Sequence, residues 1–412
     1  MIWLTTGLGL MLLIVLVFLF KWANQFVGLY QVSEVAANTD YAPHVGVILA
    51  IRGADPFLEK SLRGLMSLAY PSHEIRIIVD STVDPAFAVV DRVHREIAAK
   101  NVTVEILIVD QATSSLKNSA LIQGIKGCSD RCEAYAWLDS DTVPHAGWLN
   151  DLIAPLHSEN VGATCGIRWY SPPTATLANY VRHIWNTAAV NQMVAFEIGW
   201  GGAFAIRKSV YREAGLESKW SHSLVEDTLA SNEILLRGRH VKFVVNCTMS
   251  NPESASMGWC VKFVTRQLQG LRYYHNAWSN VCLFGMFSGA AFVGTAVTVP
   301  LALMNHDYLS AGISATSLIV FGTVAGWLMQ RSERCVNIHL GTRAVGTFSH
   351  PLMLIIAAPL TQVVHFIALI RVSVLSHVTW RGIHYHIRSG HEITRKNYEP
   401  FVAENDMGQR SL

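Results

Sequence analysis

Charge is scarce in this sequence. Only 15% of its 412 residues are Asp, Glu, Lys or Arg, against 51% hydrophobic ones, whereas soluble domains carry about 25% charged residues. Part of the chain is therefore expected in lipid. An excess of one sign is missing too: 32 Lys and Arg face 30 Asp and Glu. The net charge of +2 makes no broad basic field and argues against nucleic acid as a partner. Cysteine is sparse and poorly spaced. The seven stand at 128, 132, 165, 247, 260, 282 and 335, an odd count with no Cys-x-x-Cys pair, and Cys128 and Cys132 are one residue too far apart to form it. This argues against a disulfide framework or a zinc motif, and for reduced, cytoplasmic thiols. There is no internal repeat and no low-complexity stretch.

What is present divides the chain. Residues 2–20 carry no charge, and such a run is long enough to cross a bilayer as a helix. It lacks the basic start and small-residue cleavage site of a signal peptide. A retained anchor is expected over 1–23, with Lys21 on the cytoplasmic side, followed by a connector over 24–43. Over 44–260, short apolar runs (Val45–Ile51, Ile75–Val79, Val104–Val109, Ala134–Leu138 and Val241–Val245) alternate with longer mixed segments. That alternation predicts an α/β domain with a mostly parallel sheet. An amphipathic basic helix is expected over 261–279. Apolar segments 281–304 and 308–329 then read as a membrane hairpin. A third segment, 346–370, contains Pro351 and Pro359. A broken or re-entrant path there would keep the basic tail, 371–412, on the same side as Arg331, Arg334 and Arg343.

In open α/β sheets, ligands bind beyond the carboxyl ends of the strands. Asp80 follows the run IRIIV, and Asp139 and Asp141 follow AYAWL. Carboxylates at i and i+2 can face one crevice and hold Mg²⁺ or Mn²⁺ together with substrate phosphates. The ion would act as a Lewis acid toward a departing diphosphate. An isolated Asp-x-Asp is also a common polar turn. Glu226-Asp227 opens a helical pattern, where a general base and dipole-favoured helix acids are equally compatible readings. In 261–278, apolar residues fall at helical spacing with Lys262, Arg266 and Arg272 between them. Such a helix suits a membrane interface. It puts Gln269, Arg272 and Tyr273 where the soluble domain meets lipid, with Arg272 suited to a leaving diphosphate.

Taken in order, Asp80, Asp139-Ser140-Asp141, Glu226-Asp227 and Gln269-Gly-Leu-Arg272-Tyr273 resemble the motif series of glycosyltransferase family 2, and within it the ceramide glucosyltransferase-like lipid enzymes. Smaller features agree: Tyr70-Pro71, Asp84-Pro85-Ala86, Lys117 ahead of Ala120-Leu121, the stretch GWGGAFAIRKSVYREAGL, and the tail segment TWRGIHY. The resemblance implies a GT-A nucleotide-sugar fold joined to helical transmembrane segments. It implies donor contacts from Asp80, Lys117, Asp139, Asp141, Gln269, Arg272 and Tyr273, with Asp141 and Asp139 holding the metal. Asp227 would be the catalytic base, and Trp200, Gly201, Gly202 and Glu226 would lie on the acceptor side. Tyr273 replaces the family's usual Trp, and Ser81 stands where many relatives have a second Asp. The implied activity is an inverting hexose transfer, from UDP-glucose to the hydroxyl of a membrane lipid such as ceramide. The alternative is a processive polysaccharide synthase of the cellulose or hyaluronan type, for which three C-terminal apolar segments are few. A non-catalytic scaffold would be expected to have lost key acids, and none is missing.

Overall fold

The computed structural model describes residues 1–32, 41–109, 112–172, 174–341 and 350–402. The chain opens with helix α1 (Ile2–Val32) and enters the α/β domain through β1 (Val45–Ile51), α2 (Leu58–Met66), β2 (His73–Val79), α3 (Pro85–Ile97), β3 (Val102–Ile106), α4 (Leu116–Gly127) and β4 (Ala134–Leu138). It continues with α5 (Trp148–Ile153), β5 (Val161–Tyr170), α6 (Leu177–Phe196), β6 (Ala203–Arg207), α7 (Lys208–Glu213), α8 (Leu216–Trp220), α9 (Asp227–Leu235) and β7 (His240–Asn251). Four longer helices follow: α10 (Met257–Tyr274), α11 (Trp278–Met304), α12 (Tyr308–Leu340) and α13 (Pro351–Val374). The described chain closes with three short strands: β8 (His377–Trp380), β9 (Ile383–Ser389) and β10 (Glu392–Arg395).

The main sheet has the order β3-β2-β1-β4-β6-β5-β7. The first four strands are mutually parallel, β6 runs antiparallel to both β4 and β5, and β5 pairs parallel with β7. This is the mostly parallel sheet of a GT-A domain. The strand run VGVILAI is buried along nearly its whole length, as expected of a central strand covered by helices on both faces. Because the chain leaves β1 toward β2 and β3 but returns on the other side as β4, a crevice opens beyond the carboxyl ends of β1, β2 and β4. Local chemistry fixes the helices that frame it. Asp84 caps α3 by accepting the Ala86 N–H at 2.8 Å, with Pro85 opening the helix. Ser115 caps α4 by accepting the Asn118 N–H at 3.1 Å.

Four helices are long and apolar enough to cross a membrane: Ile2–Gln31, Trp278–Met304, Tyr308–Leu340 and Leu352–Val374. Helix α1 is longer than expected, so residues 24–32 of the anticipated connector are helical, and 33–40 lie outside the described residues. The last turns of α1 enter the core of the α/β domain. Phe26 is fully buried and stacks on Trp169 at 6.2 Å, while Tyr30 hydrogen-bonds to Thr248 at 3.2 Å. At its other end, the Met1 amino group lies 3.9 Å from Asp307 in the turn between α11 and α12. Residues 346–349 of the third apolar segment, and Arg343 of the loop before it, lie outside the described residues. Strand β3 stops at Ile106, short of the anticipated Val109. Phe26 joins membrane helix to sheet, so Phe26→Ala is expected to cost about 3–5 kcal/mol and lower the unfolding temperature of detergent-solubilised protein. Removing two methyls from exposed Val17 should leave it nearly unchanged.

Candidate active site

Two of the anticipated acids emerge at the ends of β2 and β4, the strands that flank β1. Asp80 directly follows β2 and is buried. Its Oδ2 accepts from Arg52 Nη1 at 2.6 Å and from the Phe401 N–H at 3.0 Å. Tyr398 donates to its carbonyl at 3.2 Å. Arg52 lies over the rings of Tyr398 and Phe401. The C-terminal segment thus packs against the Asp80 end of the crevice.

Asp139 follows β4 and pairs with Lys117, whose Nζ lies 2.6 Å from Asp139 Oδ1 and 2.6 Å from Glu226 Oε1. Lys117 sits in the first turn of α4, and Glu226 immediately precedes α9. Burial works against the charge on Asp139, but Lys117 more than offsets it and holds the carboxyl below its ordinary range. Glu226 is pushed up to about 7, by burial first and then by the Asp227 and Asp139 charges, against the pull of Lys117. Burial likewise opposes the Lys117 charge, yet Asp139, Glu226 and Asp227 raise its affinity for the proton.

Asp227 opens α9. Its Oδ2 accepts the Gly201 N–H at 2.7 Å, and its Oδ1 accepts the Thr228 N–H at 2.5 Å. A Cβ at Gly201 would meet Glu226 Oε1 at 2.1 Å, so only glycine lets this backbone reach the acid pair. The Gly202 carbonyl accepts from Thr142 Oγ1 at 3.3 Å and from the Asp139 N–H at 3.4 Å. Trp200, Gly201 and Gly202 therefore join the Asp139 loop to Asp227.

The turn after Asp139 is held from the far end of the chain. Ser140 donates to Asp55 Oδ2 at 2.5 Å. Asp55 is also gripped by Arg381 Nη2 at 2.8 and 2.9 Å, while Arg381 Nη1 donates to the Arg52 carbonyl at 2.6 Å. Arg381 and Gly382 form the two-residue turn between β8 and β9, both with positive φ, 45° and 78°, as a type I′ hairpin requires. Nearby Asp141 is pushed up to about 7, by burial first and then by the charges of Asp139 and Asp55.

Two cavities meet at these groups. One, of about 110 Å³, is lined by Asp80, Lys117, Asp139, Asp141, Arg168, Arg266 and Arg381. The other, of about 260 Å³, runs from Lys117, Asp139, Glu226 and Asp227 past Trp200 to Val15, Leu19, Phe284, Phe321 and His365 on the long helices. Arg168 and Arg266 line both. Each has a buried guanidinium nitrogen without a hydrogen-bond partner, Arg168 Nε and Arg266 Nη1. Burial, with Arg168 nearby, lowers Arg266 to about 10. Gln269, Arg272 and Tyr273 line neither cavity. Gln269 donates to the His377 carbonyl at 3.2 Å and Arg272 to the Val372 carbonyl, so these residues bind the return of the chain toward β8. At about 100° per residue, Arg272 points some 240° around α10 from Arg266. Sequence reasoning missed Asp55, Arg168, Arg266 and Arg381. Arg266 had a visible signal there, as a basic residue interleaved in the interface helix, and Arg381 lies in the tail segment TWRGIHY.

Glu226 supplies a test of this electrostatic arrangement. A carboxyl raised from its ordinary value to about 7 binds more protons folded than unfolded, so its contribution to stability is lost as pH rises through that window. Glu226→Gln should therefore gain stability relative to the unsubstituted protein between about pH 4.5 and 7. Unfolding temperatures measured across pH check this, and a difference independent of pH would contradict it.

Among solved structures, the chain is similar to a mannosyltransferase from Pyrobaculum calidifontis in complex with GDP-Man and Mn²⁺, at 14% identity over 89% of this chain and 99% of that one, with a TM-score of 0.49. It is also similar to a 4-diphosphocytidyl-2C-methyl-D-erythritol synthase from Anaerococcus prevotii, at 11% identity over 52% of this chain and 91% of that one, with a TM-score of 0.36. No curated protein sequence matches the chain. The model of the family described as glycosyl transferase family 21 matches residues 12–393, taking in most of the first long helix, every cavity-lining residue named above and most of the C-terminal strands. The anticipated family 2 thus gives way to another glycosyltransferase family, and the chain belongs to glycosyltransferase family 21.

Proposed function

We propose that this protein transfers a hexose, glucose from UDP-glucose, onto the hydroxyl of a membrane lipid such as ceramide. The observation that carries this reading is the larger cavity. Its acidic end holds Lys117, Asp139, Glu226 and Asp227, and its apolar end is walled by Val15, Leu19, Phe284 and Phe321 on helices long enough to cross a membrane. A lipid hydroxyl could reach Asp227 along this path without its tails entering water. The smaller cavity would take the donor, with Asp80 toward the nucleoside and the unpartnered nitrogens of Arg168 and Arg266 toward the diphosphate.

In this reading Asp227 removes the proton of the acceptor hydroxyl as its oxygen bonds to the anomeric carbon. The bond from that carbon to the phosphate oxygen breaks, and the diphosphate leaves with the electron pair. Two backbone N–H groups hold the Asp227 carboxylate in place. Trp200 and Gly201 shape the acceptor side, and Gly202 steadies the Asp139 loop. The charges of Asp139 and Asp55, which add to burial in raising Asp141, fit a divalent cation there. Asp139 and Asp141 would hold Mg²⁺ or Mn²⁺, with phosphate oxygens and water completing the shell. When bound, that ion neutralises charge on the departing diphosphate. Gln269, Arg272 and Tyr273 act at one remove in this reading, by fixing the strands that carry Arg381. Orientation follows the basic loops, with the catalytic domain and the C-terminal strands in the cytoplasm. The shared network of Asp55, Arg52 and Arg381 supports placing both on one side.

Purified protein with UDP-glucose, Mn²⁺ and ceramide in mixed micelles should yield a monoglycosylated lipid. Asp227→Asn should slow the transfer at least about 100-fold while donor affinity, read by calorimetry, stays within a few-fold. A polymer ladder, or no lipid product with any nucleotide-sugar donor, would sink the proposal. Protonation of Asp141 below about pH 7 should also raise the Mn²⁺ concentration needed for half-maximal rate as pH falls, and an unchanged requirement between pH 8 and 6 would count against Asp141 as a ligand.

A further inference from the structure

The opposite end of the sheet carries a second cluster of donor atoms, unrelated to the site above. His44 directly precedes β1, Glu74 lies at the start of β2, and Cys132 lies just before β4. Because these three strands are parallel and in register at Val45, His73 and Ala134, the fold draws their amino ends together. His44, Glu74 and Cys132 each offer one ligand atom, all within 4.8 Å of one another. His44 Nε2 is 3.6 Å from Glu74 Oε2, close to the separation of about 3.4 Å between two ligands on a tetrahedral ion with bonds near 2.1 Å.

Cys128 is the adjacent further donor. It lies beside Cys132 and Glu74, with its Sγ donating to the Gly124 carbonyl at 3.3 Å. The two sulfurs lie beside Gly46, where a Cβ would meet Cys128 Sγ at 2.5 Å and Cys132 Sγ at 3.3 Å. Glycine at this position of β1 is what leaves room for them. The surroundings orient the donors as well. His44 Nδ1 is engaged by Ser72 Oγ at 2.7 Å, which leaves Nε2 free to face the cluster, and Glu74 Oε1 accepts the Ser129 N–H at 2.6 Å. Partners of this kind fix ring tautomer and carboxylate direction in metal sites. Strands of five to seven residues separate this cluster from Asp80 and Asp139 by roughly 15–20 Å.

We infer that His44, Glu74, Cys128 and Cys132 form a structural Zn²⁺ site that clamps the amino ends of β1, β2 and β4. Two sulfurs, one imidazole and one carboxylate make a borderline-soft, four-donor set that suits Zn²⁺ and excludes Mg²⁺ and Ca²⁺. Binding displaces the thiol protons to solvent, and four protein donors leave no open position for substrate. The spacing of Cys128 and Cys132 hides the site from motif reading, because the other two ligands come from elsewhere in the chain.

The test uses the full chain, expressed with zinc in the medium, purified under reducing conditions and washed with EDTA. Elemental analysis should give one zinc per chain, and a Cys128→Ser/Cys132→Ser variant should lose it. Stripping zinc with phenanthroline should lower the unfolding temperature by at least about 3 °C, and added Zn²⁺ should restore it. Co²⁺ loaded into stripped unsubstituted protein should show a thiolate charge-transfer band, a readout that does not depend on how the variant folds. Transfer activity of the variant with excess Mn²⁺ at low temperature should persist. Absence of zinc from the unsubstituted protein with no thermal response to added Zn²⁺, a Cys128–Cys132 disulfide in place of metal, or full zinc occupancy in the double variant would each overturn the inference.

Discussion

One cation organises the crevice at the carboxyl end of this sheet. Lys117 sits between Asp139 and Glu226, 2.6 Å from each, and the three residues come from the start of α4, the end of β4 and the approach to α9. Removing Lys117 would leave two carboxylates facing low-dielectric surroundings without a partner, which costs more than the pair contributes. The arrangement is nevertheless short of positive charge, since Asp227 and Asp141 lie beside the two acids that Lys117 serves. Arg168, Arg266 and Arg381 gather around the same crevice in answer. Burial first, and then the negative charge that remains uncompensated, raises the proton affinities of Glu226 and Asp141, and a site held in this state is poised for cationic or proton-bearing ligands.

The second organising feature is the return of the chain. After four long helices, β8 and β9 bring Arg381 back to residues near the start of the domain, where it grips Asp55 and the carbonyl of Arg52. Asp55 in turn holds Ser140 between the two acids of the Asp-x-Asp turn. The conformation of that turn thus depends on contacts spanning more than 300 residues of sequence. The long apolar helices and the Asp-x-Asp turn are parts of one construction.

The sequence revealed those features that depend on short stretches. Asp80 and Asp139 were legible because each ends a run of apolar residues, and a buried parallel strand leaves such a run. Strand β5 was not, since Gly162, Cys165 and Gly166 dilute its pattern and both its faces are buried. Strands β8 to β10 read as a basic tail, because His377, His384 and Arg388 face solvent while Ile383, Tyr385, Ile387 and Ile393 are buried on the other side. The phase of α10 was the subtlest point. Its apolar spacing identified a helix, yet which of Arg266 and Arg272 faces the cavity depends on where α6 and α13 pack, and no local pattern encodes that. Asp55 and Arg168 gave no sign, their roles arising entirely from partners distant in sequence.

Helix α1 has a consequence of its own. Its 31 residues measure about 46 Å, whereas the hydrocarbon of a bilayer is about 30 Å thick. A bilayer crossed by this unbroken rod would leave roughly a third of it outside the lipid, and the end sunk into the sheet through Phe26 and Tyr30 would be that third. A stiff post of fixed length sets the altitude of the crevice above the headgroups. Thickening or thinning the host bilayer would raise or lower the whole domain relative to the lipid surface, making membrane composition itself a dial on what the crevice can reach.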